Sequence, residues 1–282
     1  MTVTLIHADC LEWLSTRERD SIHAVVTDPP FSVEDFSDDE VGKLRRGSGG
    51  VWRQPPSIGG TRRAPLPRFT VLTAEQQQAA HDFFARFAQN LLPVLTPGAH
   101  VFIATNPLLS HLVYLPMLAA GFEKRGEVVR LVQTLRGGDR PKGAEDEFTD
   151  ITVMPRSAWE PWGVFRKPLD GTVAECLRKW STGALRRASS DRPFTDVIVS
   201  RPTSTEERVI APHPCLKPQA FVRQLVAASL PLSRGVVLDP FMGGGSVVAA
   251  ASRLGYDAIG VERDTVFYAM AQGAYVNLAE VG

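Results

Sequence analysis

The segment AVVTDPPF, residues 24–31, joins a short apolar run to an acid, two prolines and an aromatic residue: Asp28, Pro29, Pro30 and Phe31. Each proline removes a backbone donor and fixes φ near about −65°, and the residue before it is kept out of the helical region. The chain here is therefore expected to be stiff and extended, with carbonyl groups free to accept hydrogen bonds. A carboxylate beside such carbonyls suits an amino-group ligand, although a lone Asp-Pro-Pro is also typical of a turn that ends a strand.

A second chemically suggestive group is the stretch VVLDPFMGGGS, which contains Asp239, Pro240, Phe241, Gly243, Gly244, Gly245 and Ser246. The glycines allow close approach of a ligand to the N-terminus of a helix. Glu262 follows Asp239 by 23 residues, near the spacing at which a carboxylate binds ribose hydroxyls in nucleotide-binding βαβ units. Asp239 would repel a pyrophosphate, so S-adenosylmethionine, which carries an ammonium and a sulfonium, is favoured over a nicotinamide dinucleotide.

Between these groups lies a third motif, His213-Pro214-Cys215-Leu216-Lys217-Pro218. The three motifs, in this order, resemble those of the S-adenosylmethionine-dependent amino DNA methyltransferases of the permuted β class. The resemblance spans nearly the whole chain. One departure is Val247 after Ser246, where the family often has two hydroxyl residues; we expect this to alter helix capping rather than chemistry.

The resemblance implies two sets of site residues. The catalytic set is Asp28, Pro29, Pro30 and Phe31. The cofactor set is Asp9, Cys10, His213, Lys217, Asp239, Pro240, Phe241, Gly243, Gly245, Ser246 and Glu262. Asp9 is expected to contact the adenine ring and Lys217 the methionine carboxylate, while a plain helix N-cap is the alternative for Asp9 and a two-proline turn the alternative for residues 213–218.

The activity that the resemblance implies is methyl transfer to the N6 amino group of adenine in double-stranded DNA. Asp28 and the Pro29 carbonyl would hold the two N–H groups, and Phe31 would stack on a base flipped out of the duplex. Cytosine N4 is the nearest alternative, although that subgroup more often has Ser at position 28. Methylation of RNA or of a protein amide, and a non-catalytic DNA-binding protein, are remoter alternatives.

Contacts with DNA are expected from two cation-rich stretches. Residues 43–70 hold seven Lys or Arg and no acid among many Gly and Pro, which predicts a flexible basic arm or a solvated loop. The second stretch is 136–210. The predicted DNA-binding residues are Arg45, Arg46, Trp52, Arg53, Arg62, Arg63, Arg136, Arg140, Trp180, Arg186 and Arg187. The formal net charge of zero argues weakly against nucleic acid, and a tryptophan such as Trp52 or Trp180 is more often a half-buried core residue.

Strand and helix patterns alternate along the 282 residues, which predicts an α/β fold with a doubly wound, mostly parallel sheet and a circularly permuted motif order. Predicted parts are a catalytic half (1–32 and 73–135), a basic loop (33–72), a recognition region (136–210, with a strand at 161–167) and a cofactor-binding half (211–282). Three distant cysteines favour a reducing cytoplasm and no metal site, and no apolar run is long enough for a membrane span. The short recognition region leaves a homodimer open.

Overall fold

The computed structural model describes residues 1–30, 57–58, 61–62, 72–132, 138 and 140–281. Several predicted site residues lie outside these ranges: Phe31, Arg45, Arg46, Trp52, Arg53, Arg63 and Arg136. Arg62 is described only as part of a strand. The chain forms two compact units, one of Met1–Phe31, His81–Val132 and Glu160–Gly282, the other of Ser32–Ala80 and Gln133–Trp159.

The strands are numbered along the chain. They are β1 (Val3–His7), β2 (Ile22–Thr27), β3 (Ser57–Ile58), β4 (Thr61–Arg62), β5 (Leu95–Ala104), β6 (Glu123–Leu131), β7 (Trp159–Arg166), β8 (Val197–Val199), β9 (Val236–Asp239) and β10 (Asp257–Glu262). Within the described residues, eight of them form one sheet in the order β1-β10-β9-β2-β5-β7-β6-β8. The strands β3 and β4 form a separate antiparallel pair in the second unit.

The sheet is parallel where the catalytic and glycine motifs end their strands. Parallel pairs join β1 to β10, β10 to β9, β9 to β2, and β2 to β5. The strand β7 runs antiparallel to β5, and β8 runs parallel to β6. This confirms the predicted α/β fold with a mostly parallel sheet. The first strand of the chain also pairs with the last, as the permuted order requires.

The helices are likewise numbered along the chain. They are α1 (Cys10–Ser15), α2 (Ala74–Val94), α3 (Ser110–Ala119), α4 (Val173–Trp180), α5 (Thr205–Ile210), α6 (Gln219–Ser229), α7 (Ser246–Arg253) and α8 (Thr265–Glu280). Both faces of the sheet are covered. Alternation along β2 places Ala24 and Val26 in one apolar cluster, with Phe221 of α6, and Val25 in the other, with Phe87 of α2.

The polar stretch 168–212 contains three short elements beyond those predicted from the sequence. These are α4, β8 and α5. Both helices begin with a capping box, Thr172 with Glu175 and Ser204 with Glu207, in which side chain and backbone satisfy each other's free groups.

The predicted recognition region of residues 136–210 is divided between the two units. Residues up to Trp159 belong to the second unit, whereas Glu160 onward belongs to the sheet unit. The described part of the second unit carries exposed apolar side chains at Phe148, Ile151 and Val153. In the described ranges no helix has the length and apolarity needed to cross a membrane, and no group of three or more His, Cys, Asp or Glu residues has a metal-binding arrangement.

Candidate active site

Four acidic residues lie at the carboxyl ends of parallel strands. Asp9 and Asp28 follow β1 and β2, while Asp239 and Glu262 are the last residues of β9 and β10. Because these strands are neighbours and run in the same direction, their ends share one edge of the sheet, which is where doubly wound folds bind ligands. A direct contact joins two of the strand ends, since the Thr27 hydroxyl donates to Asp239 Oδ1 at 2.7 Å.

The Asp28 carboxylate is held by one oxygen and has the other free. Its Oδ2 accepts a hydrogen bond from Lys217 Nζ. Its Oδ1 is buried and has no hydrogen-bond partner among the described residues. Burial raises the pKa of the Asp28 carboxyl, and the positive charge of Lys217 opposes that rise. One buried carboxyl oxygen is thus left for a donor that the described residues do not supply.

Lys217 lies between two carboxylates. Its Nζ is 3.8 Å from Glu160 Oε1, and Glu160 in turn accepts from Trp162 Nε1 at 2.8 Å and from Arg130 Nη1 at 3.3 Å. The charges of Asp28, Lys217, Glu160 and Arg130 therefore alternate. Lys217 was predicted to bind the cofactor carboxylate, whereas here its ammonium contacts the catalytic motif.

Asp239 is almost fully buried, with 3% of its surface exposed. Besides the Thr27 hydroxyl, its Oδ1 accepts from the Phe241 backbone N–H at 3.2 Å. Burial raises the pKa of Asp239 to about 7, helped by the negative charges of Asp28 and Glu262, while the two hydrogen bonds oppose the change. A cation bound beside this carboxyl should lower its pKa and favour the ionised form.

The glycine loop is tied to the end of β10. The Gly243 N–H donates to Glu262 Oε2 at 2.8 Å, and the Met242 N–H donates to the Val261 carbonyl at 2.9 Å. Gly243 and Gly245 have φ of 51° and 89°, which disfavour other residues. Glu262 Oε1 also accepts from the Asp264 N–H at 2.8 Å, so the carboxylate is fixed at the mouth of the loop.

His213 packs directly over the glycine loop. A Cβ at Gly243 would lie 3.0 Å from its ring, and one at Gly244 would lie 2.9 Å from its Cβ. Its other neighbour is Phe267, with ring centroids 4.3 Å apart. Burial and the charge of Lys217 lower the pKa of His213 to about 4, and Nδ1 accepts from the Cys215 N–H, so the ring is neutral near pH 7.

Ser246, the first residue of α7, is hydrogen-bonded to the His213–Pro218 motif. Its hydroxyl accepts from the Lys217 N–H at 3.3 Å and donates to the Lys217 carbonyl at 3.1 Å. Gln219 Nε2 also donates to the Ser246 carbonyl at 2.8 Å. The hydroxyl predicted to bind cofactor thus holds the backbone of Lys217 in place.

The remaining predicted cofactor residues occupy supporting positions. Asp9 caps α1 and accepts from the Leu11 and Glu12 N–H groups at 2.8 and 3.3 Å. Asp9 is therefore a helix N-cap, and its contact with the adenine ring stays a prediction. Cys10 is buried, and burial raises its pKa to about 12. Pro240 is buried, and the Phe241 ring packs on Phe87, with centroids 5.3 Å apart.

Three predicted DNA-binding residues are not brought to the catalytic edge. The Arg186 guanidinium donates to the Tyr256 hydroxyl at 3.2 Å, just before β10 begins, and Arg187 is its exposed neighbour. Trp180 ends α4, which is anchored by a Cys176 hydrogen bond to the Pro97 carbonyl near the start of β5. These contacts lie at the amino ends of the strands, opposite Asp28, so we expect no contact with the target base.

Of the second unit's predicted DNA contacts, Arg140 is exposed. The residues that sequence reasoning missed are Thr27, Arg130, Glu160 and Trp162. Thr27 directly precedes the Asp28–Phe31 motif, so its position at the end of the strand could be read from the sequence. The other three lie on β6 and β7, and no local pattern connects them to the site.

A model of the family described as DNA methylase matches residues 141–273 of this chain. The match covers the His213–Pro218 motif and the glycine loop, which the geometry above brings together. Over these residues the chain is similar to the DNA methylase family. One curated relative is the Type II methyltransferase M.HindIII of Haemophilus influenzae, which is 23% identical over 294 residues, covering 95% of this chain and 93% of the relative.

Solved structures with the same fold match the whole of this chain. TTHA0409 of Thermus thermophilus, complexed with S-adenosyl-L-methionine, has a TM-score of 0.62 at 19% identity and is covered over 96% of its length. The cytosine-N4-specific PvuII DNA methyltransferase has a TM-score of 0.61 at 13% identity and is covered over 87%. At these identities the likeness establishes the fold.

Proposed function

We propose that this protein transfers a methyl group from S-adenosylmethionine to the N6 amino group of adenine in double-stranded DNA. The observation that carries the proposal is the free Oδ1 of Asp28. It is a buried carboxylate oxygen without a hydrogen-bond donor in the described chain, and it lies at the sheet edge that also holds Asp239 and Glu262. A donor from a substrate amino group satisfies it.

The residues at this edge fit S-adenosylmethionine. The buried Asp239 carboxylate suits an ammonium group, because it lacks a charged partner of its own among its two hydrogen bonds. Glu262 is fixed beside the glycine loop, where a carboxylate can accept from ribose hydroxyls. His213 closes one side of the loop as a neutral ring. When bound, the cofactor supplies an electrophilic methyl group on its sulfonium sulfur.

The chemical difficulty of the reaction lies in the amino group, whose lone pair is delocalised into the base. Asp28 Oδ1 and the Pro29 carbonyl each accept one N–H, which draws the lone pair out of conjugation, a case of preorganised electrostatics. The nitrogen then forms the N–CH₃ bond as the S–CH₃ bond breaks. The surplus amine proton passes to Asp28 or to water. Because a duplex hides the amine, the base must leave the stack.

Adenine is preferred to cytosine on the identity of residue 28. Asp offers a charged acceptor, which binds an N–H more strongly than the Ser that the cytosine-N4 subgroup more often carries. The fold itself is neutral on this point, since the cytosine-N4-specific PvuII enzyme shares it. Cytosine N4 is therefore the second candidate.

The test is to incubate the purified protein with S-adenosylmethionine and double-stranded DNA, then digest the DNA and separate the nucleosides by mass. We expect N6-methyladenine. N4-methylcytosine in its place would refute the choice of base, and no methylated nucleoside in DNA of varied sequence would refute the activity. Single-stranded DNA and RNA serve as competing substrates in the same assay.

Double-stranded DNA is the partner that this activity requires. A second copy of the chain and a cytoplasmic location remain predictions from the sequence. Light scattering on the eluted protein, with and without DNA, tests the dimer directly.

A further inference from the structure

We infer that Lys217 is a positioning residue for Asp28, and that Glu160, held by Arg130 and Trp162, limits how strongly Lys217 binds the Asp28 carboxylate. The inference rests on the proposed function. It assigns Lys217 to the amine-binding side of the site instead of to the cofactor.

The first support is the number of groups that hold Lys217. Its backbone N–H and carbonyl are both bonded to the Ser246 hydroxyl, and its side chain is only 13% exposed. Burial opposes the charged form of Lys217, but the carboxylates of Asp28 and Glu160 more than compensate and raise its pKa. The ammonium is therefore a permanent, fixed charge beside Asp28 Oδ2.

The second support is the rigidity of Glu160. Its two oxygens accept from Trp162 and Arg130, both of which are buried. Arg130 is fixed in turn by the Ser200 hydroxyl at 3.0 Å and the Arg201 carbonyl at 3.2 Å, and its guanidinium lies over the Phe221 ring. Glu160 thus competes with Asp28 for one ammonium while two hydrogen bonds hold its carboxylate in place.

The consequence is a carboxylate that is fixed yet incompletely neutralised. The bond from Lys217 to Oδ2 restrains the Asp28 side chain and orients Oδ1 for the amine. The charged groups that act on Asp28 are Lys217, Glu160, Arg130 and the neighbouring Asp239. Removing the charge of Lys217 should raise the pKa of Asp28, whereas removing the charge of Glu160 should lower it.

The experiment follows the Asp28 carboxyl itself by carbon-13 NMR of aspartate-labelled protein without cofactor. Asp28→Asn identifies the signal by its disappearance. Lys217→Met should raise the titration midpoint by about 1–3 pH units, as loss of an adjacent opposite charge does. Glu160→Gln keeps the shape but removes the competing charge, so it should lower the midpoint. Shifts of the same sign, or none, would overturn the inference.

A matched control comes from Lys167, which is 16% exposed and donates to Asp20 Oδ1 at 2.7 Å. Lys167 is buried to a similar extent as Lys217, although its partner Asp20 is 33% exposed against 16% for Asp28. The pair lies near the start of β5, since Lys167 also donates to the Leu95 carbonyl. Lys167→Met should destabilise the fold without moving the Asp28 midpoint. A shift in this variant would mean that general loosening, and not the local charge, governs Asp28.

Kinetics separate this inference from the proposed function. If the wild-type protein methylates DNA, Lys217→Met should lower kcat at least tenfold and leave the calorimetric Kd for S-adenosylmethionine within twofold, and Lys217→Arg should restore part of kcat. A raised Kd with kcat unchanged would return Lys217 to the cofactor. If the wild type has no activity, the proposed function fails while the NMR titration still tests the charge network.

Discussion

Affinity for S-adenosylmethionine is expected to rise with pH, because Asp239 must be ionised to bind an ammonium group. Burial, together with Asp28 and Glu262, raises the pKa of Asp239 to about 7. Below that value the carboxyl is protonated and offers no charge. Above it, the carboxylate pairs with the ligand cation in a site that excludes most water.

The magnitude follows from the fraction ionised. With a pKa of about 7, roughly 10% of Asp239 is charged at pH 6 and roughly 90% at pH 8, so the apparent affinity should rise about tenfold. The free protein should behave in the opposite sense. Between about pH 4 and 7 the folded state holds a proton on Asp239 that the unfolded chain has lost, so the contribution of Asp239 to the free energy of unfolding should fall as pH rises. His213, whose pKa is lowered to about 4, contributes with the opposite sign.

The assay is isothermal titration calorimetry with S-adenosylmethionine at pH 6, 7 and 8 and constant ionic strength. Asp239→Asn should weaken binding and flatten its pH dependence. Thr27→Val removes a donor to the charged form and should move the midpoint up by about one pH unit. A wild-type affinity that does not change over this range, or an equal slope in Asp239→Asn, would refute the reasoning.

Three further predictions concern the other groups of the site. Asp28→Ala should abolish methyl transfer, measured with labelled cofactor, and leave the Kd for cofactor within twofold; near-normal turnover would remove Asp28 from the mechanism. Glu262→Ala should raise that Kd about 10- to 100-fold, since it loses charged hydrogen bonds worth about 1.5–3 kcal/mol, and an unchanged calorimetric titration would contradict its role. Replacing Arg186 and Arg187 by Ala should leave the salt dependence of DNA binding unchanged, because both lie at the amino ends of the strands; a slope of log affinity against log salt reduced by about one per arginine would place them on DNA.

The residues that could be predicted from sequence are those whose chemistry is local. Asp28, Asp239 and Glu262 each end an apolar strand, and a parallel sheet brings such ends to one edge whatever the loops between them do. The glycine loop is equally local, because positive φ angles at Gly243 and Gly245 restrict the residue type at those positions.

What could not be predicted depends on partners distant in the chain. Glu160 and Arg130 have no local feature that marks them, and they meet only because β6 and β7 lie in the same part of the sheet. Lys217 belongs to a recognised motif, yet its partner is fixed by packing rather than by sequence. By contrast, α4 and α5 carried a readable signal, since Thr172 with Glu175 and Ser204 with Glu207 have capping-box spacing, and the apolar side chains of α4 recur at helical spacing. Both helices are short and lie in a polar, Arg-rich stretch, which hid them.

The end of β2 explains how two buried carboxylates can perform different tasks side by side. Successive side chains of a strand point to opposite faces, and here Thr27 donates to Asp239 while the next residue, Asp28, accepts from Lys217. A neutral hydroxyl does not neutralise Asp239, so the ionised carboxylate can pair with a cation. An ammonium holds Asp28 in place and keeps it an acceptor for a neutral amine. Cofactor binding by Asp239 and amine binding by Asp28 therefore depend on the two adjacent residues Thr27 and Asp28. If Asp239 were paired with the ammonium and Asp28 with the hydroxyl, both functions would be lost.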